Sequence, residues 1–180
     1  MEPSVQKWPR RARRLDAPDR GIFRVTAPRF EHDRPLLASV IAYFHQQRVV
    51  GYPDLIAAGK ITQAAADKAL RISNTLAADW AAIAALEPAP AWLADPSRGG
   101  AFKWERVETL NAMAIRTRTA ADAVPEDERL RGIADAVDTL IWWEAKEPSA
   151  RWLADMTIEL RARAAADRAS RSPASLGAAS

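Results

Sequence analysis

The chain has 180 residues, no cysteine and a formal charge of +3. That length closes one hydrophobic core without staples, and the missing cysteines exclude disulfides, thiolate nucleophiles and cysteine-ligated zinc together. A reducing, cytoplasmic setting is expected. The longest apolar run, L-L-A-S-V-I-A-Y-F at Leu36 to Phe44, is about half of what a membrane-spanning helix needs. No hydrophobic segment follows the basic N-terminus as a signal peptide would require, so neither export nor a membrane partner is expected. Arginine outnumbers lysine 21 to 5, a skew associated with GC-rich bacterial genomes, and a bacterial or mobile-element origin is expected.

Charge is unevenly spread. Residues 1–30 hold eight Lys/Arg against three Asp/Glu, a surplus of +5, and the remaining 150 residues sum to −2. The first segment, 1–31, is therefore expected to be a basic arm running into an extended stretch, G-I-F-R-V-T-A-P-R-F, laid along the domain through Ile22, Phe23 and Phe30. Within K-W-P-R-R-A-R-R, the cations Lys7, Arg10, Arg11, Arg13 and Arg14 beside Trp8 are the candidate nucleic-acid contacts, gripping phosphates while the indole stacks on a base. A solvated tail is the plainer alternative.

Asp33 and Pro35 predict the start of a first helix with Leu36, Leu37, Val40, Ile41 and Phe44 on one face, ending near Val50-Gly51. Tyr52-Pro53 predicts a separate short turn through Leu55 and Ile56. The corner A-G-K-I-T at Ala58 to Thr62 has Gly59 for a left-handed residue and Thr62 for the next cap. Read as a helix-turn-helix, this corner puts Asp54 and Lys68 where that motif packs apolar residues, so a plain helical corner is expected.

A second helix is predicted from Thr62 to about Leu86, with Ile72, Leu76, Trp80, Ile83 and Ala84 in one stripe and Asp67, Arg71, Asn74 and Asp79 elsewhere. Pro96 and Gly99-Gly100 break the chain before a third helix, about Ala101 to Ala123, whose inward face is expected to be Trp104, Val107, Leu110 and Ala114. Glu126 to about Lys146 predicts a fourth helix, lining up Leu130, Ile133, Val137, Leu140 and Ile141. The fifth runs from Pro148 to about Arg168 with Trp152, Leu153, Met156 and Leu160 together. The whole is an all-α single-domain bundle of about five helices over residues 32–168, followed by a polar tail at 169–180.

The chain spells one phrase twice: E-P-A-P-A-W-L-A-D at Glu87 to Asp95, and E-P-S-A-R-W-L-A-D at Glu147 to Asp155. Aligned without gaps, Asp67–Asp95 and Asp127–Asp155 agree at ten of twenty-nine positions, which suggests an internal duplication of a helix and its corner. Trp92 and Trp152 are accordingly expected to be mostly buried in equivalent places.

Chemical signatures are scarce. The two histidines, with Glu31 and Asp33 the only grouping for a metal, lack the spacing that puts ligands on one helical face. G-x-S-x-G is absent, and Gly99-Gly100 lacks the G-K-[ST] of a phosphate loop, so it is expected to act as a helix breaker. Carboxylates are expected on solvated helix faces. No catalytic, metal or cofactor residue is assigned. Trp142 points about 120° from Leu130, among Arg131, Asp135 and Asp138, and is the candidate partner contact unless the last helix or the N-terminal segment covers it. The composite expectation is a non-catalytic interaction or scaffold protein with a protein partner or a second copy of itself. The alternative is a nucleic-acid-binding accessory protein acting through its arm.

Overall fold

A computed structural model describes residues 27–171. The chain folds as an all-α bundle of five helices: α1 (Arg34–Ala57), α2 (Gln63–Ala85), α3 (Lys103–Ala123), α4 (Glu128–Ala145) and α5 (Ala150–Arg171). Among the described residues no helix is long and apolar enough to cross a membrane. The basic arm, with Ile22 and Phe23 of the extended stretch, and residues 172–180 lie outside the described residues, and α5 takes in 169–171, which the sequence assigns to the tail.

Local chemistry sets the first boundaries. The Asp33 carboxylate accepts from Leu36 N at 3.0 Å, with Pro35 in the first turn where its missing N–H costs nothing. α1 does not stop at Gly51, as the sequence suggests, but continues through Pro53. The carbonyl that Pro53 leaves without its helical donor belongs to Val49, an exposed residue. At the far end Lys60 N bonds Leu55 O and Gly59 N bonds Ile56 O, both at 2.9 Å, with Gly59 at φ 66°. This double closure is why the glycine stands there. Thr62 then caps α2 by accepting from Ala65 N.

The short corner makes α1 and α2 an antiparallel pair, and the link at 124–127 does the same for α3 and α4. The two pairs pack through α1 against α4 and α2 against α3, and α5 docks against α2. Leu37, Ile41, Leu76, Trp80, Ile83, Leu110, Val137 and Leu140 form the centre of the core. Phe30 packs against it from the N-terminal segment, as expected from its apolar side chain.

Two aromatic assignments change, Trp104 and Trp152, while Trp92 is mostly buried. Trp104 is 59% exposed and Trp152 52% exposed. On α3 the inward residues are Leu110, Met113 and Ala121 with Glu105, a face turned away from Trp104. On α5 only Ala150 and Ala154 are buried, and every residue from Glu159 to Arg171 is exposed. Trp152 lies about 160° from both alanines on the helix, and Leu160 lies where the helix has run past the body. The two E-P-x-x-x-W-L-A-D phrases do follow directly on α2 and α4, but the first forms turns and the second opens α5.

The connection between α2 and α3 is closed on itself rather than merely broken. Asp95 accepts from Ser97 N at 2.9 Å, Gly100 N bonds Asp95 O at 2.8 Å and Ala101 N bonds Leu93 O at 2.9 Å. A Cβ on Gly100 would lie 2.1 Å from Trp92 O and 2.4 Å from Leu93 O, so backbone approaches too closely for any side chain. Gly132, inside α4, has open space at the same test. Gly100→Ala is therefore expected to destabilise by about 2 kcal/mol or more. Gly132→Ala is expected to stabilise by about 0.5–1 kcal/mol, both measured by urea unfolding.

Candidate functional site

A cleft of about 410 Å³ lies between α2, the 89–94 loop, the start of α3 and the α4–α5 junction. Its walls include Trp80, Ile83 and Trp143, and its floor is charged: Asp79 from α2, Arg106 from α3, Glu144 from α4 and Arg151 from α5. Asp79 is 2% exposed. Two charges at that depth in an apolar setting would be prohibitive alone, so the geometry around them decides the outcome.

That geometry is complete for Asp79. Arg106 Nη2 donates to its Oδ2 at 2.6 Å and Arg151 Nε donates to its Oδ1 at 2.9 Å. Arg106 Nη2 also donates to Glu144 Oε1 at 2.5 Å, and Trp80 Nε1 approaches the same oxygen at 3.4 Å. Arg151 continues outward to Asp79 O, Glu87 O and Asp155 Oδ1 at 3.0–3.1 Å. One residue from each of four helices thus meets in a group of two anions and two cations.

Burial pushes the Glu144 carboxyl above the usual carboxylate range, and Arg106 pulls it back. Burial works against the Arg106 charge too, but Glu144 and Asp79 outweigh it and hold that guanidinium above its ordinary range. The carboxylates expected on solvated faces are here structural counter-ions.

A second staple lies alongside. Arg71 Nη2 donates to Glu105 Oε1 at 2.6 Å, and Arg71 Nη1 reaches Glu105 Oε2 and Gly100 O. Phe102 N donates to Glu105 Oε2 at 3.0 Å, and Thr75 Oγ1 donates to Gly99 O at 3.3 Å. The Arg71 bond holds the Glu105 carboxyl below the usual range although the group is buried. The loop and the first turn of α3 are thereby bolted to α2.

No protein-family model matches this chain, and no curated protein and no solved structure is significantly similar to it. Its chemistry is legible only in its own geometry.

The residues singled out in the sequence are placed as follows. Lys7, Arg10, Arg11, Arg13 and Arg14 lie outside the described residues. Trp142 is half-buried against the core, edge-on to Trp143 at 4.8 Å, with Lys146 Nζ 3.9 Å from its ring centre. The N-terminal segment runs along this side of α4: Arg29 pairs with Asp135, Trp143 Nε1 donates to Glu31 O at 3.1 Å, and Lys146 pairs with Glu31. Asp33 is spent on its cap, His32 is exposed, and no metal-holding cluster exists among the described residues. His45 Nδ1 is 2.9 Å from Ser73 Oγ, which also lies 3.1 Å from Leu70 O.

Two outcomes follow. Asp79→Asn leaves two arginines short of a counter-charge and is expected to cost about 3–5 kcal/mol in urea unfolding. Glu144→Gln, whose charge burial already opposes, is expected to cost about half as much or less. Burial first, and Arg48 second, hold the His45 pKa below 6.5. The folded state then binds that proton more weakly than the unfolded chain, so stability is full above about pH 6.5 and falls as pH drops below it. His45→Gln should flatten that part of the stability profile.

Proposed function

We propose that this protein is a non-catalytic interaction module whose contact surface is centred on Phe102 and Trp104 at the start of α3. The observation that carries this reading is the exposed aromatic pair itself. Phe102 is 49% exposed, its ring stacks on that of Trp104 at 6.4 Å and 20°, and Lys68 Nζ sits 5.8 Å from the Trp104 ring centre. Exposed Trp on a rigid mount is the side chain best suited to anchor a protein contact. The mount is rigid because Glu105 and Gly100, on either side, are tied to Arg71. Trp142, beneath Lys146, offers less free surface and is a secondary contact in this proposal.

The buried acids support the non-catalytic part of the reading, since Asp79, Glu105 and Glu144 are each bound to a guanidinium. The arm favours a second reading. Its surplus of +5 within residues 1–30 suits a nucleic-acid backbone, with Lys7, Arg10, Arg11, Arg13 and Arg14 as the contacts.

Trp104→Ser should change folding stability by less than about 1 kcal/mol, as an exposed site, while weakening partner capture or self-association at least tenfold. Unchanged association would remove Trp104 from the contact. Duplex DNA distinguishes the readings. If the arm is the functional element, the full chain binds it with a log–log salt slope near about −3.6 for four phosphates, and deleting residues 1–20 abolishes binding without unfolding the bundle.

A further inference from the structure

A smaller pocket of about 220 Å³ opens between α1 and α3, away from the charged cleft. Its apolar wall is Phe44, Leu55 and Met113, and two arginines enter it, Arg48 from α1 and Arg116 from α3. No Asp or Glu lines it. Arg48 Nη1 is buried with no hydrogen-bond partner among the described residues. Arg116 donates through Nε to Ala112 O at 3.1 Å, a bond along its own helix that uses one edge of the guanidinium and leaves the other for the pocket.

Arg106 Nε is likewise buried without a partner, but no other buried guanidinium among the described residues lacks a carboxylate. Arg71, Arg106 and Arg151 each meet a carboxylate. Burial holds the Arg48 guanidinium below its ordinary range; Tyr52 opposes this and the charge of Arg116 adds to it. A buried N–H without an acceptor, beside a second positive charge, is costly unless an anion comes to it.

We propose that this pocket binds a small carboxylate with an apolar body, its head on Arg48 and Arg116 and its body against Phe44, Leu55 and Met113. A carboxylate is flat and presents two oxygens on one side, matching the guanidinium fork. Gln47, Tyr52 and Thr117 also line the pocket, and a phosphate, even where they serve some of its oxygens, has no apolar body to bury against Phe44, Leu55 and Met113. The volume equals about seven water molecules at ~30 Å³ each, enough for a six- or seven-carbon acid and too small for a nucleotide.

The test is a titration of the full chain with benzoate and hexanoate, followed by amide NMR shifts. Benzyl alcohol and hexanol serve as uncharged counterparts, and inorganic phosphate as an anion without an apolar body. Saturable shifts around the pocket are expected for at least one acid at roughly millimolar affinity or tighter, and for neither alcohol nor phosphate. Arg116→Gln, at an exposed residue, should weaken that binding about ten- to a hundredfold, as should Arg48→Met. Arg131→Gln on α4 should leave it unchanged. In the free protein, Arg48→Met should hold or raise the melting temperature, because it removes an uncompensated buried charge. The proposal is overturned if neither acid gives a saturable response, if an alcohol or phosphate binds as well, or if both pocket variants bind like the parent. A lower melting temperature for Arg48→Met overturns it as well, since that guanidinium would then be serving the fold.

Discussion

Asp79 is the point on which the bundle turns. Apolar stripes hold helices together but leave them free to slide and rotate by small steps at little cost, because one methyl replaces another. A carboxylate with one oxygen on Arg106 of α3 and the other on Arg151 of α5 admits a single register for three helices. Glu144 adds α4 through the same Arg106 nitrogen. The cost of desolvating these four groups is offset only when all are present, which makes the network cooperative: each member is dear without the others.

The Arg71 staple turns that fixed register into a fixed surface. By holding both Glu105 and Gly100 O, it connects α2 to the loop and to the first turn of α3 together. Gly100 is required because the loop backbone passes within contact distance of its Cα. The backbone that carries the aromatic pair Phe102 and Trp104 is thereby fixed at both ends, which suits the contact proposed for it. A contact there would forfeit little backbone entropy.

Helix number, the cap at Asp33, the left-handed Gly59 and the Thr62 cap were legible because they depend on residues next to one another in the chain. Asp79 and Glu144 were not taken for buried, although the period alone placed them so. At 100° per residue Asp79 lies about 20° from Ile72, and Glu144 about 20° from Val137, inside the apolar stripes rather than opposite them. Residue type overrode position in that reading. The counter-charges come from residues 27 and 72 positions from Asp79, and pairing at such separations leaves no local pattern. Trp104 and Trp152 differ in the opposite sense: each belongs to an apolar stripe in the sequence, but Trp104 lies on the side of α3 away from its buried face, and Trp152 lies in the first turn of α5 opposite the buried Ala150 and Ala154. Pro53 lies inside α1 because the bond it forfeits is to the carbonyl of Val49, an exposed residue, and the helix continues past it.

Arg106 and Arg48 show what the same buried guanidinium does in two settings. Around Arg106 the fold supplies two carboxylates, both on Nη2, and the charge is favoured even though Nε is buried without a partner among the described residues. Around Arg48 it supplies Phe44, Met113 and another arginine, and the charge is disfavoured. A chain that needed only packing at that point would do better with Met or Leu, which fill the same space without the desolvation cost. Keeping two guanidinium groups over an apolar wall makes physical sense where the missing negative charge arrives from solution on a molecule that also has something apolar to bury. The bundle therefore uses arginine in two ways: inward, neutralised, to lock its helices, and toward the α1–α3 pocket, unneutralised, to wait for a ligand.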